Sequence, residues 1–222
     1  MNRTHHARSR RTVTGALIAT LAGVTCIAAT VQSPRADTTA HFQSGEALTE
    51  AMREGGKVIF IRHATTERDY ADQVTAVMGQ CSTQRVLSEE GWLEAKAIGD
   101  AFAKLDIPVG AVYSSEYCRA WQTADLAFGR YEKKSDFNFA PAETYSDEQV
   151  SAMKAAVLPY LTAVPADGTN TVIVGHDDPF EAATGIYPEP MGVTYVLEPD
   201  GDGAFTILGK IEPDALQKIA KR

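Results

Sequence analysis

The chain has 222 residues, 44% of them hydrophobic and 23% charged, which suits one globular domain with a full core. Its formal net charge is −8, and the first 36 residues carry five arginines and no acid, which leaves 16 basic against 29 acidic residues and a net of −13 beyond them. A domain this acidic is a poor candidate for nucleic acid or for anionic membrane surfaces, so any anion it binds must sit in a local cationic pocket.

Arg3, Arg8, Arg10 and Arg11 precede an apolar run from Val13 to Ala29. A basic head followed by a short apolar body reads as a secretory signal, with cleavage expected between Ala28 and Ala40. Residues 1–36 are therefore read as a signal peptide with a loose start, and 37–222 as the domain proper. The run is short for a membrane span and is diluted by Gly15, Thr20, Gly23 and Thr25, so no stable membrane insertion is expected after cleavage. An uncleaved anchor is the alternative. Cys26 falls in the removed segment, leaving Cys81 and Cys118. An even pair in an exported protein is compatible with one disulfide, and two free thiols are the other reading.

Glu46 to Glu54 can form a short helix, stopped by Gly55-Gly56. Lys57-Val58-Ile59-Phe60-Ile61 is a buried strand that ends abruptly in Arg62-His63. In open α/β sheets the C-terminal end of a strand is where ligands bind. The bland reading is that Arg62 pairs with a carboxylate and His63 caps the strand. Residues 64–86 lack periodicity, and a long irregular segment after a strand tip often carries function. Ser88, with Glu89 and Glu90, starts a helix, Leu87 and Trp92 sit at staple spacing, and Leu93, Ala97, Ile98, Ala101, Phe102 and Leu105 trace one face.

Val109–Tyr113 is a second strand, followed by Ser115 as a natural cap and a helix to about Phe128 with Arg119 in its first turn. Phe137 and Phe139 alternate around Asn138 in an expected short strand. Asp147 begins a helix that Pro159 should kink or end. Thr171-Val172-Ile173-Val174-Gly175 is a strand that delivers His176. Asp178-Pro179-Phe180-Glu181 then matches a helix cap. Thr194–Glu198 and Ala204–Leu208 form a hairpin across Pro199-Asp200-Gly201-Asp202-Gly203, and a short helix follows Ile211. This order predicts an α/β fold, a three-layer α/β/α sandwich with a mostly parallel central sheet and a C-terminal hairpin.

In such a sheet Arg62, His63, Arg119 and His176 share one edge and can converge on one cavity. Two guanidinium forks around a small space make a phosphate site. A metal is not expected, because His63 and His176 are the domain's only histidines besides His41 and two arginines would repel a cation. No cofactor is implied.

Arg62-His63 after a strand, Arg119 within Arg-Ala-x-Gln-Thr-Ala, and Val174-Gly175-His176 resemble the histidine phosphatase superfamily, with its phosphoglycerate mutase-like fold, from about Lys57 to Leu208. The resemblance implies that His63 is a nucleophile that takes the phosphoryl group, and that Arg62, Arg119 and His176 bind its oxygens. Thr66 and Arg85 are expected to line the pocket, although a surface salt bridge is the simpler reading of Arg85. Ala64 stands where the family's Arg-His-Gly-Glu-Thr pattern has glycine, and Thr65 where it has glutamate. Three groups compete as the proton donor: Asp177, beside His176 as in the superfamily's acid phosphatase branch; Glu143, near the glutamate of the mutase-like branch; and Asp178, better explained as a helix cap. A Cys81–Cys118 bond would tie the long loop to the arginine-bearing helix. The expected activity is hydrolysis of a small phosphate monoester outside the cytoplasm. A non-catalytic phosphate-binding module and a phosphomutase are the alternatives.

Overall fold

The computed structural model describes residues 42–67, 76–142 and 144–222; the leader segment and Glu143 lie outside them. Helix α1 (Gly45–Glu54) opens this region, capped by Ser44 and stopped where Gly55 takes a φ of 79° that a side chain would strain. Strand β1 (Val58–Arg62) follows, buried along its whole length. Then come α2 (Glu89–Lys104), β2 (Val109–Ser114), α3 (Cys118–Phe128), the two-residue β3 (Glu132–Lys133) and α4 (Asp147–Leu161). Strand β4 (Asn170–Gly175), α5 (Asp177–Thr184), β5 (Thr194–Pro199), β6 (Phe205–Ile211) and α6 (Pro213–Ile219) complete the order.

The six strands form one sheet in the order β3-β2-β4-β1-β5-β6. The first four run parallel, while β5 joins β1 antiparallel and turns back into β6. The period-2 alternation of the strands builds a core on each face. Ile59, Ile61, Val172 and Val174 face Met52 of α1, Ile98 and Phe102 of α2, Ala120 of α3 and Leu216 of α6. Val58, Phe60 and Ile173 face Val157 and Leu161 of α4 and Phe180 of α5. This is the three-layer sandwich expected, with helices on both sides of a mostly parallel sheet. Buried Asn170 ties its lower edge: its Oδ1 accepts from Lys57 N, and its Nδ2 donates to the carbonyls of Met52 and Pro108. Among the described residues no helix is long and apolar enough to cross a membrane.

Several local expectations are corrected. Phe137 ends a 3-10 turn, Ser135–Phe137, and the edge strand is instead Glu132–Lys133, which pairs with Tyr113 and Ser114. The Asn138 N–H donates to the Ser135 carbonyl at 3.0 Å and closes this turn, so it is not available to a ladder. Helix α4 continues two residues past Pro159, so the proline does not end it, and so near the C-terminus its missing N–H costs a bond in the last turn alone. Helix α5 starts at Asp177 with His176 as its extended N-cap residue, so Asp178 lies inside the first turn and is not the cap. Ser115 is not the α3 cap either, since that helix begins only at Cys118. On α2 the buried face is Gly91, Ala95, Ile98, Ala101 and Phe102, while Trp92 and Leu93 are exposed and Leu87 packs on Ala64 and Ala95 without a staple.

Candidate active site

Strands β1, β2 and β4 are neighbours, and their C-terminal ends bring the expected residues together. Arg62, His63, Arg119 and His176 are all buried. The rings of His63 and His176 lie 5.3 Å apart. Gly175, which precedes His176, leaves room for the Phe60 ring, since a Cβ there would meet Phe60 Cε2 at 2.9 Å.

The bonds around His63 identify its tautomer. Nδ1 lies 2.9 Å from the Ala64 carbonyl oxygen, which can only accept, so Nδ1 carries the hydrogen. Nε2 then holds the lone pair, and it accepts from Arg119 Nε at 3.1 Å. Burial holds the imidazole well below its usual range, Arg119 adds to this, the Ala64 carbonyl opposes it, and Arg62 and Arg85 lower it further. The ring is therefore neutral at pH 7, with an unprotonated nitrogen set against a guanidinium. His176 is likewise pushed well below the usual range, first by burial and then by Arg119, His63, Arg85 and Arg62.

Arg62 donates from Nη1 to the Pro188 carbonyl at 3.0 Å and from Nη2 to Asp177 Oδ2 at 2.5 Å. The carboxylate pairing considered for this strand end is thus real, and its partner is Asp177. Tyr187 also donates to Asp177 Oδ2, at 2.7 Å, and its ring lies under the Arg62 guanidinium. Arg62 Nε is buried with no hydrogen-bond partner among the described residues, and so is His176 Nδ1. Two orphaned polar atoms on facing strand ends mark the space where a ligand would satisfy them.

The remaining expected residues are placed less uniformly. Thr66 is buried, but its hydroxyl donates to Met191 Sδ at 3.5 Å, so it offers no donor to a phosphoryl group in this arrangement. Thr65 donates to Glu94 Oε2 at 2.5 Å, which ties the loop after His63 to α2. Arg85, for which a surface salt bridge is the simpler sequence reading, is half-buried and its charge reaches both histidines. Cys81 and Cys118 form a disulfide that closes the long loop onto the start of α3. Gln84, which sequence reasoning missed, accepts from Cys118 N at 2.8 Å and so takes a free amide at the head of the arginine-bearing helix. Its only sequence signal is a position close to a cysteine.

Asp178 is the other carboxyl at the start of α5. Burial and the neighbouring Asp177 raise its pKa, against the hydrogen bond that Tyr145 donates to its Oδ2 at 2.8 Å. Among the described residues no group of three or more histidine, cysteine, aspartate or glutamate side chains could hold a metal ion.

Comparison with known proteins bears on this arrangement. Residues 58–138 match the family model of the histidine phosphatase superfamily (branch 1). Among solved structures, the protein histidine phosphatase SixA complexed with tungstate superposes with a TM-score of 0.50 at 17% identity, over 72% of this chain and 99% of that one. A putative phosphohistidine phosphatase SixA from Agrobacterium tumefaciens gives 0.46 at 22% identity, over 71% and 99%. Phosphoglycerate mutase from Thermus thermophilus gives 0.49 at 18%, over 70% and 98%. The match to the tungstate-bound structure supports a shared fold. No curated protein matches the chain.

Proposed function

We propose that this chain, whose residues 58–138 match the model of the histidine phosphatase superfamily, hydrolyses small phosphate monoesters through a phosphohistidine on His63. The observation that carries this reading is the His63 tautomer: Nδ1–H is anchored to a backbone carbonyl, and the unprotonated Nε2 is set against the Arg119 guanidinium, a group that a phosphoryl oxygen would engage. Nε2 attacks phosphorus and the bond to the ester oxygen breaks. The leaving oxygen takes a proton from an acid. Water then attacks phosphorus and gives a proton to that acid, while the phosphorus–nitrogen bond breaks, its electron pair returns to Nε2 and phosphate is released. Arg62, Arg119 and His176 bind the phosphoryl oxygens. Charged donors preset in a buried site are where most of the rate gain arises.

Asp177 is assigned as the acid. It is the partner of Arg62, and a phosphoryl group that takes over Arg62 leaves the Asp177 carboxyl free to carry a proton. A second reading is favoured by Asp178, whose burial already disposes it to hold one. Glu143 is the third candidate and lies outside the described residues. A non-catalytic module fits less well, since binding alone needs neither an unprotonated Nε2 nor an adjacent acid. Export is supported by the basic, apolar leader and by the Cys81–Cys118 bond, which suits an oxidising compartment.

The test uses aryl and alkyl phosphates. His63→Ala abolishes turnover and acid-labile labelling by radioactive substrate; residual hydrolysis at the parent rate overturns the mechanism. An acid contributes roughly 10²–10⁴ in rate for a poor leaving group and little for a good one. Asp177→Asn is therefore expected to slow alkyl esters far more than nitrophenyl esters. If Asp178→Asn shows that selectivity instead, the proton is on Asp178.

A further inference from the structure

A chain of side-chain hydrogen bonds runs away from His176 and takes no part in the attack on phosphorus. Asn138 Nδ2 donates to Glu116 Oε2 at 2.8 Å. A carboxylate only accepts, so the amide nitrogen of Asn138 must face Glu116, and its oxygen faces the other way. That oxygen accepts from Glu116 N at 3.0 Å and from the Ser115 hydroxyl at 2.7 Å. The Ser115 hydrogen is thereby spent, and Ser115 Oγ can only accept. It does so from Tyr117 N at 3.2 Å and from His176 Nε2 at 2.8 Å. His176 therefore carries its hydrogen on Nε2, and the neutral ring has its lone pair on Nδ1, the buried atom with no partner among the described residues.

Phosphoryl oxygens are acceptors, and a bare lone pair repels them. Nδ1 is also the only polar atom His176 has left to offer. We propose that Glu116, Asn138 and Ser115 are positioning residues that fix His176 as its Nε2–H tautomer, so that a tetrahedral dianion binds beside it only as a proton is taken up on Nδ1. This rests on reading the cavity as a phosphoryl site. The proton comes from solvent, and His176 becomes an imidazolium that donates from both nitrogens.

The surroundings support the sequence of events. The charged and titratable groups facing His176 are Arg62 and His63 at the end of β1, Arg85 on the loop, and Arg119 on α3, and together with burial they keep the ring neutral. Tyr117 and Phe139 close its flanks edge-on, at 5.2 and 4.9 Å. Asp177 and Asp178 follow it on α5. A bound dianion offsets the arginines and reverses the balance at Nδ1.

Sulfate is a suitable probe, because it does not titrate near neutral pH. Calorimetric titration of sulfate into the full-length His63→Ala protein, in buffers of different ionisation enthalpy, counts protons without a second imidazole in the cavity. About one proton is expected per sulfate, and affinity falls about tenfold per pH unit of increase. Histidine nitrogen NMR of the unsubstituted protein shows His176 Nδ1 gaining a hydrogen on sulfate binding. Ser115→Ala removes the acceptor at Nε2, and Asn138→Ala frees the serine hydrogen to turn. In either background the neutral ring can present Nδ1–H unaided, so the count falls toward zero and the pH slope flattens. Sulfate binding without proton uptake before those changes overturns the proposal, as does one proton persisting in both variants. If sulfate fails to bind the unsubstituted protein, the phosphoryl-site reading falls and takes this one with it.

Discussion

Loss of the Cys81–Cys118 bond is expected to destabilise the domain by an amount that follows from its span. The bond closes a loop of sequence separation 37. Loop-closure entropy for that length gives about 4 kcal/mol at 25 °C, within the range seen for native disulfides. The clean perturbation is the double variant Cys81→Ala/Cys118→Ala, which leaves no lone thiol to oxidise. The parent treated with reductant serves as its control, because it removes the bond without removing sulfur. Urea unfolding, followed by tryptophan fluorescence and far-UV circular dichroism, gives the midpoint. With a slope of about 2 kcal/mol/M, the midpoint should drop by about 2 M in both proteins. A drop below about 0.5 M at an unchanged slope would refute the reasoning, since the bond would then not restrict the unfolded chain. The site should partly survive in water, because Gln84 still holds the Cys118 amide and so still aims the start of α3. Gln84→Ala in the double variant removes that support too, and phosphate affinity should then fall further.

Three other outcomes are expected. His63 and His176 are both buried neutral and pushed well below the ordinary value of 6.5, so the unfolded chain binds more protons than the folded one as pH falls below 6.5. Stability from these two residues is full above that pH and is lost on acidification toward their folded values, at up to about 1.4 kcal/mol per pH unit for each ring, and denaturant midpoints between pH 7 and 5 measure it. His176→Gln should flatten part of this slope; an unchanged slope would mean that His176 is not buried neutral. Gly91→Ala drives a Cβ into the Thr65 carbonyl oxygen, so α2 must move off the loop that follows the nucleophile, with a loss of about 1–3 kcal/mol in denaturant unfolding and slower turnover. Phe180→Ala empties a buried position stacked on Phe60 at a 4.2 Å centroid distance, and thermal unfolding should show a loss of about 3–5 kcal/mol.

The convergence of Arg62, His63, Arg119 and His176 is legible because each stands at or just beyond the end of a strand whose apolar run is unmistakable. A parallel sheet then brings those ends to one edge without any side-chain detail. What stays hidden depends on contacts between residues far apart in the chain. Asn138 reaches back 22 positions to Glu116 and 23 to Ser115, and no periodicity records such a bond. Phe137 and Phe139 do not form a strand because the backbone closes a 3-10 turn with Asn138 N–H on the Ser135 carbonyl, and alternation of two aromatics suits a buried turn equally well. At the start of α5, Asp178-Pro179 fits the capping pattern, yet His176 must stay extended to place its ring and so takes the cap position itself. Trp92 and Leu93 invite a place against the core because they are large. Gly91 lies so close to the Thr65 carbonyl that the first turns of α2 turn Gly91 and Ala95 inward, ahead of Ile98 and Phe102, and leave Trp92 and Leu93 outside.

The charge pattern of the whole chain gives the site its direction. Beyond residue 36 the net charge is −13, yet three arginine charges act on the two buried rings. Before an anion binds, those arginines do two separate jobs. They add to burial in keeping His63 neutral, which the proposed nucleophile requires, and Arg62 engages Asp177. A dianionic phosphoryl group competes for the same guanidinium forks. On the proposed mechanism its arrival loosens Asp177 and lets His176 take a proton, while His63 stays unprotonated because its Nε2 is engaged by phosphorus. The same charge that readies donors for the transition state is thus the one brought by the substrate, and a neutral ester analogue of equal shape should trigger none of these changes.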